Sequence, residues 1–101
     1  GWDMQQEREA WTLIVPFKAG LLEPADLRVA VTPTDLLVYI AGQEVLPMLG
    51  GQLQHKIDPA GCSWRLRKAK ARGTVAVEEM VITLKKSPVM TWKDLLHSQY
   101  V

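Results

Sequence analysis

The residues that could carry metal or nucleophilic chemistry are few in this sequence. The only cysteine, Cys62, lies seven positions after His55 and thirty-five before His97, and no pair has the spacing of a metal-ligand motif. A nucleophilic pair of Cys62 with His55 on neighbouring strands is conceivable. Cys62, however, shares the inward parity of Trp64, and a buried thiol behaves as a small hydrophobic group. The sequence therefore predicts no metal site and no cofactor.

Patterns that bind phosphate or pair two carboxylates for acid–base catalysis are also missing. Gly50 and Gly51 are not followed by the lysine and helix of a phosphate-binding loop. Glu78 and Glu79 are adjacent, so on a strand they point to opposite faces. We therefore expect a protein that is not an enzyme.

A basic stretch is the strongest charge feature. Residues 59–101 hold eight basic and three acidic side chains, although the whole chain carries a formal charge of only +1. Such a run is most often a solvated turn. Binding of nucleic acid is less expected, because single-strand binders place exposed aromatic rings among their cations, and Trp64 follows the core alternation. The basic stretch consists of Arg65, Arg67, Lys68, Lys70 and Arg72.

Alternating apolar residues, which are typical of half-buried strands, recur about every ten residues along the chain. Turn residues such as those at 32–35 and 58–61 separate them. This rhythm predicts an all-β protein, an antiparallel β-sandwich of about seven strands. Only the tail has a helical pattern: Thr91 could cap a short helical turn, and Trp92, Leu95 and Leu96 would form its apolar face. Residues 3–10 are polar and are predicted as coil or a helical turn.

Length and composition narrow the class of protein. A chain of 101 residues with 48% hydrophobic residues suits one domain with one modest core, which we place over residues 1–101. No apolar run approaches the roughly 20 residues of a membrane-spanning helix. A lone cysteine and an N-terminus without a signal-peptide pattern indicate a reducing compartment, and we expect a cytoplasmic protein.

The order of the patterned segments resembles the CS domain, a β-sandwich also described as Hsp20-like. The Val-Pro-Phe end of the first strand and the tail from Trp92 to Tyr100 are most similar to the NudC branch, and within it to the short NudC-domain-containing proteins. The segments that carry the resemblance, which covers nearly the whole chain, are Trp2 with Gln5, then 13–17, 26–29, 36–38, 51–53, Ile57, 62–64, 81–86 and 92–96.

One departure from the family pattern lies between Trp64 and Leu84. The interval is twenty residues, where the resemblance implies about a dozen. The surplus residues lie at about 67–79, and we expect them to form a lengthened hairpin or a mobile loop. A lengthened hairpin could include additional strand pairing at residues 74–77.

The resemblance implies a protein-binding module with the activity of a co-chaperone. Its implied partners are the ninety-kilodalton heat-shock chaperone, WD-repeat proteins and dynein-related clients, and the resemblance also implies a link to dynein or microtubules. By strand parity the outward apolar residues are Ile14, Leu37, Tyr39 and Val81, although Leu37 and Tyr39 could instead be covered by the segment around Trp2. The predicted partner-binding residues are Ile14, Leu37, Tyr39, Val81, Lys86 and Trp92, and the predicted structural core includes Trp11, Phe17, Trp64 and Leu84.

Two hypotheses of function remain open from the sequence. In the first, apolar side chains on the sandwich bind a chaperone or a client protein. In the second, the basic stretch, with Arg67, Lys68, Lys70 and Arg72 as its binding residues, makes the protein an adaptor for an acidic partner such as RNA or tubulin. Salt separates them, because only the second mode of binding should weaken steeply as ionic strength rises.

Overall fold

The computed structural model describes residues 3–20, 27–40 and 49–99. Nearly all of its regular structure is β-strand, with a single 3₁₀ turn at Pro59–Gly61 among these residues. The strands are β1 (Asp3–Gln6), β2 (Ala10–Lys18), β3 (Leu27–Val31), β4 (Asp35–Ile40), β5 (Leu49–Leu53), β6 (Ser63–Arg72), β7 (Val75–Lys85) and β8 (Leu96–Gln99).

The strands form two four-stranded antiparallel sheets. Sheet A has the order β1-β2-β7-β6, and sheet B has the order β3-β4-β5-β8. The predicted antiparallel sandwich is therefore confirmed. The described residues include no helix long and apolar enough to span a bilayer.

The core lies between the sheets and is built by the alternation seen in the sequence. Trp11, Leu13 and Val15 of β2 point inward and lie opposite Leu84, Ile82 and Met80 of β7. Trp11 and Leu84 are buried, whereas Phe17 and Trp64 are partly buried and pack against the margin of the core. The remaining buried members of the cluster are Leu27, Leu36, Val38, Leu53, Ile57, Trp92 and Leu95.

The turn between β3 and β4 shows how local sequence sets the register of sheet B. The backbone groups of Thr32 and Asp35 hydrogen-bond to each other, and the hydroxyls of Thr32 and Thr34 both donate to the Asp35 carboxylate. Side chains that bond to nearby groups favour such turns. The closed turn places Leu37 opposite Ala30 and Tyr39 opposite Arg28.

Both chain ends differ from the sequence prediction. Residues 3–6 are neither coil nor helical; they form β1, paired with residues 11–14 of β2. The predicted C-terminal helical turn is wrong, because Leu96–Gln99 form β8 on β5. The Leu95 carbonyl accepts from the Gln54 amide, and the Gln54 side chain accepts from the Asp94 amide. These contacts hold the tail extended while Trp92 and Leu95 are still buried.

The surplus residues of the basic stretch lengthen a hairpin. β6 and β7 pair from Ser63 opposite Thr83 to Arg72 opposite Val75, with a bulge between Ala69 and Arg72. Gly73 has φ of 64°, the left-handed conformation that a two-residue hairpin turn requires at its first position. Residues 67–79 are therefore mostly paired strand. The short apolar segment Val45-Leu46, which Pro47 follows, lies outside the described residues.

Candidate functional site

Two of the predicted docking residues lie on the outer face of sheet A but are not open to a partner. Ile14 and Val81 are cross-strand neighbours on β2 and β7, and their exposed fractions are only 8% and 4%. Both strands are interior to the sheet, so neighbouring side chains surround them on either side. Strand parity correctly predicts that these side chains lie on the outer face of sheet A. Because they are buried there, a partner protein cannot contact them directly.

Lys86 and Trp92 were also predicted to bind partners, and the structure places both inside the protein. Each side chain is only 2% exposed. Trp92 packs edge-on against Trp11, with ring centroids 6.0 Å apart, and against His55 at 5.3 Å. The indole nitrogens of Trp11 and Trp92 have no hydrogen-bond partner in the described part of the chain. These rings act as packing groups.

The Lys86 ammonium is held by three oxygen atoms at the end of the sandwich. Its Nζ donates to Gln6 Oε1 at 2.7 Å, to the Glu7 carbonyl at 2.6 Å and to the Met90 carbonyl at 2.7 Å. It also lies 5.7 Å and 5.8 Å from the ring centroids of Trp11 and Trp92, within the range of cation–π attraction. Burial lowers the pKa of Lys86, and the nearby Glu9 carboxylate opposes that change.

Gln6 completes this network and links it to the tail. Its side-chain amide donates to the Trp92 carbonyl, and its Oε1 accepts from the Trp92 amide as well as from Lys86. One side chain thereby joins β1, the end of β7 and the segment before β8. We call Gln6, Lys86 and Trp92 the lysine network, and its role is to close this end of the sandwich.

The sheet B face is the surface that keeps predicted docking residues accessible. It is formed by Arg28, Ala30, Leu37, Tyr39 and Gly50, which strand pairing places side by side on the outer side of sheet B. Arg28 and Ala30 are exposed, and Leu37 and Tyr39 are half-buried. The Arg28 guanidinium lies 4.7 Å from the centroid of the Tyr39 ring. Trp2, which could have covered this face, lies outside the described residues.

The absence of a side chain at Gly50 makes room for Leu37 of the neighbouring strand. A Cβ at Gly50 would lie 2.8 Å from Leu37 Cδ2, 3.1 Å from the Leu37 Cα and still closer to the Leu36 carbonyl oxygen. The last of these is a backbone atom that cannot rotate away. A side chain at position 50 therefore does not fit beside Leu37 unless the backbone shifts.

Replacing Gly50 with alanine should destabilise the protein by about 1–3 kcal/mol, because an overpacked site forces the backbone to shift. Urea denaturation measures the loss. Gly73→Ala is an unsuitable control because its φ is positive, whereas Ala30→Gly changes one methyl on the same face without a clash and should cost less. An unchanged Gly50→Ala protein would show that β4 and β5 are farther apart than described.

The basic stretch lies on β6, at the edge of sheet A. Arg67 Nε donates to Glu79 Oε1 at 2.9 Å, and this is the only ion pair of the stretch within the described ranges. Lys68 lies opposite Glu78 in register, but that carboxylate accepts from the Gly20 amide. Near the bulge, Arg67–Arg72 with Val77 and Glu79 line an open depression of about 590 Å³. An open, shallow surface suits an extended chain better than an enclosed small molecule.

Cys62 and His55, the pair considered for nucleophilic chemistry, take part in packing. The Cys62 thiol donates to the Asp58 carbonyl at 3.2 Å, and burial, with the Asp58 charge, raises its pKa despite the lowering effect of the Lys85 backbone. A raised pKa keeps the thiol protonated and unreactive. Among the described residues no group of histidine, cysteine and carboxylate side chains could hold a metal ion.

Sequence reasoning missed three residues of these sites: Arg28, Gly50 and Gln6. Arg28 could have been found by counting back across the β3–β4 turn from Tyr39, since cross-strand partners share a face. Two adjacent glycines more often mark a turn than a strand, so the pair Gly50-Gly51 gives no sign of a strand that packs beside Leu37. Nothing in the local sequence of Gln6 indicates a contact eighty residues away.

Comparison with known proteins assigns the family. A model of the CS domain matches residues 2–86. The solution structure of the CS domain of human KIAA1068 protein is similar in fold, with a TM-score of 0.71 at 17% identity over 96% of this chain and 73% of that one. The solution structure of the CS1 domain of USP19 is 22% identical over 95% of both chains, with a TM-score of 0.49. No curated protein sequence matches significantly. The chain belongs to the CS domain family, whose members are protein-binding, co-chaperone-like modules on a non-catalytic fold.

Proposed function

We propose that this protein is a co-chaperone-like module that binds partner proteins through the sheet B face. The observation that carries the proposal is the half-buried pair Leu37 and Tyr39, with Arg28 stacked on the tyrosine ring at 4.7 Å. Tyrosine and arginine are enriched among the residues that dominate interface energies. On the outer side of sheet A the corresponding apolar residues, Ile14 and Val81, are buried.

The rigidity of the face supports the same conclusion. Arg28, Leu37 and Tyr39 lie on paired strands whose register is fixed by the hydrogen-bonded turn at 32–35. Because the backbone beneath these side chains is already paired, binding carries no cost of ordering a loop, and only the side-chain rotamers remain to be fixed. More specifically, we propose that the protein acts in the cytoplasm as a NudC-type binding module and does not catalyse a reaction. Its proposed partner is the ninety-kilodalton heat-shock chaperone, a WD-repeat protein or a dynein-related client.

The test is suppression of aggregation of a heated client protein at about stoichiometric amounts. Leu37→Ser with Tyr39→Ser should remove most of the suppression while the β-type circular dichroism persists, since the change lies outside the core. Replacing Arg67, Lys68, Lys70 and Arg72 with serine is the control and should change it little. If the charge variant loses the activity and the apolar variant keeps it, the sheet B face is not the binding surface.

A second candidate function, an adaptor for an acidic partner such as RNA or tubulin, is favoured by one observation. Of the five cations on β6, only Arg67 forms an ion pair within the described ranges. Cations without internal partners are free to bind anionic groups of a second molecule. Binding of this kind should weaken steeply between low and moderate salt, which binding through Leu37 and Tyr39 should not.

A further inference from the structure

The outer edge of β6 has the backbone groups needed to accept another strand. β6 is the last strand of sheet A and, in the part of the chain that the structure describes, pairs only with β7. The edge of a sheet presents unpaired N–H and C=O groups, to which an extended peptide can add as a new strand. From Ser63 to Ala69 the pairing with β7 is regular, and the bulge follows. The usable edge is therefore seven residues long.

The side chains along this edge differ between its two sides. Toward the core lie Trp64 and Leu66, which are partly buried and pack against the margin of the hydrophobic cluster, and exposed Lys68 ends the same row. Toward the outer face lie Arg65, which is exposed, and Arg67, whose Nε alone is engaged by Glu79. An added strand would place alternate side chains beside these two rows. The edge thus matches a segment in which apolar and acidic residues alternate.

Two other ligands for this edge, a second copy of the chain and RNA, fit it less well than an acidic peptide. A second copy of β6 would bring Arg65 and Arg67 close to identical cations, and like charges across paired strands are destabilising. RNA would gain from stacking on exposed aromatic rings, but Trp64, the one aromatic residue of β6, packs against the core. An acidic peptide can hydrogen-bond to the unpaired backbone groups of β6 and can also pair its carboxylates with Arg65 and Arg67.

We propose that β6 binds an extended segment of a partner protein, about five to seven residues long with alternating acidic and aliphatic side chains, as a fifth strand of sheet A. The inference rests on the second candidate function and names both the partner class and the mode of binding. It does not depend on the sheet B face.

Fluorescence anisotropy of a labelled heptapeptide with alternating glutamate and valine tests the proposal. Two control peptides have the matching charge: one groups its glutamates at one end, and the other carries proline at the central valine, which removes a backbone donor. We expect both to bind at least about tenfold more weakly than the alternating peptide, because one loses the side-chain register and the other a strand hydrogen bond. Equal binding of all three peptides would overturn the proposal in favour of nonspecific charge attraction.

Protein variants locate the site. Arg65→Gln with Arg67→Gln should weaken peptide binding at least about fivefold, whereas Arg8→Gln with Lys56→Gln, which removes the same charge from exposed positions elsewhere, should change it less than twofold. Hydrogen exchange of the β6 amides gives a second measurement that does not depend on the variants folding. Amides between Ser63 and Ala69 should become protected when the peptide is added.

Three outcomes would contradict strand addition. A uridine oligonucleotide that binds more tightly than the peptide, and competes with it, would assign the edge to RNA. Concentration-dependent dimerisation that the peptide abolishes would assign it to a second copy. Peptide binding without protection of β6 would place the contact elsewhere. Leu37→Ser with Tyr39→Ser should leave peptide binding intact, so failure at β6 is distinguishable from failure of the sheet B face.

Discussion

Replacing Lys86 with methionine should lower the free energy of unfolding by about 3–5 kcal/mol, although methionine is similar in length and apolar. The ammonium satisfies Gln6 Oε1 and the carbonyls of Glu7 and Met90, and the two carbonyls would lose this donor. A buried polar group left without a partner costs about 1–3 kcal/mol, and the substitution leaves two of them. Urea denaturation with a common m-value measures the loss.

Lys85→Met is the matched control for this prediction. The neighbouring lysine has a side chain that is 59% exposed and lies 3.7 Å from the Asp58 carboxylate, and such surface pairs contribute about 1 kcal/mol or less. A Lys86 variant no less stable than the Lys85 variant would contradict the lysine network. It would also return Lys86 to the set of residues available for docking.

The pH dependence provides an independent measurement. Because burial lowers the pKa of Lys86 below its ordinary value of 10.5, the unfolded chain binds more protons than the folded protein between the folded pKa and 10.5. Stability contributed by this group therefore rises with pH across that window. The difference in unfolding free energy between the wild-type protein and Lys86→Met should widen as pH increases toward 10.5, and a narrowing difference would mean that the network raises the pKa instead.

The sandwich could be predicted because its evidence is local. In β2, and in β7 from Met80 to Leu84, every second residue is apolar and points into the core. The turn at 32–35 could be predicted for the same reason, since its hydrogen bonds join residues within three positions of one another. Alternation and turn chemistry act over a few residues, so one sequence is sufficient to read them.

The tail and the docking residues could not be predicted because long-range contacts decide them. Trp92, Leu95 and Leu96 have the spacing of a helical face, but Gln6 and Gln54 hold the tail extended. Parity likewise assigns Ile14 and Leu37 to outer faces without showing that one is buried and the other half-exposed. Exposure depends on the flanking strands, which a pattern of residue types does not reveal.

Trp92→Ala should destabilise the protein by about 3–5 kcal/mol, which is the usual cost of truncating a buried tryptophan. The ring is 2% exposed and contacts Trp11 and His55, so its loss leaves a cavity at the closed end of the sandwich. Thermal and urea denaturation measure the change. Val89→Ala is the control on the adjoining segment, because Val89 is 51% exposed and its truncation should change stability by about 0.5 kcal/mol or less.

The alternative role for Trp92, direct contact with a partner, gives the opposite result. In that case Trp92→Ala would keep its stability and lose binding, whereas a core role lowers stability and affects binding only through unfolding. Combining Trp92→Ala with Lys86→Met distinguishes one network from two separate sites. The Lys86 Nζ lies 5.8 Å from the Trp92 ring, and Gln6 Oε1 accepts both from that Nζ and from the Trp92 backbone amide. The double variant should therefore lose about 0.5–3 kcal/mol less than the sum of the two single losses. Strict additivity would show that the ammonium and the indole stabilise this end of the sandwich independently.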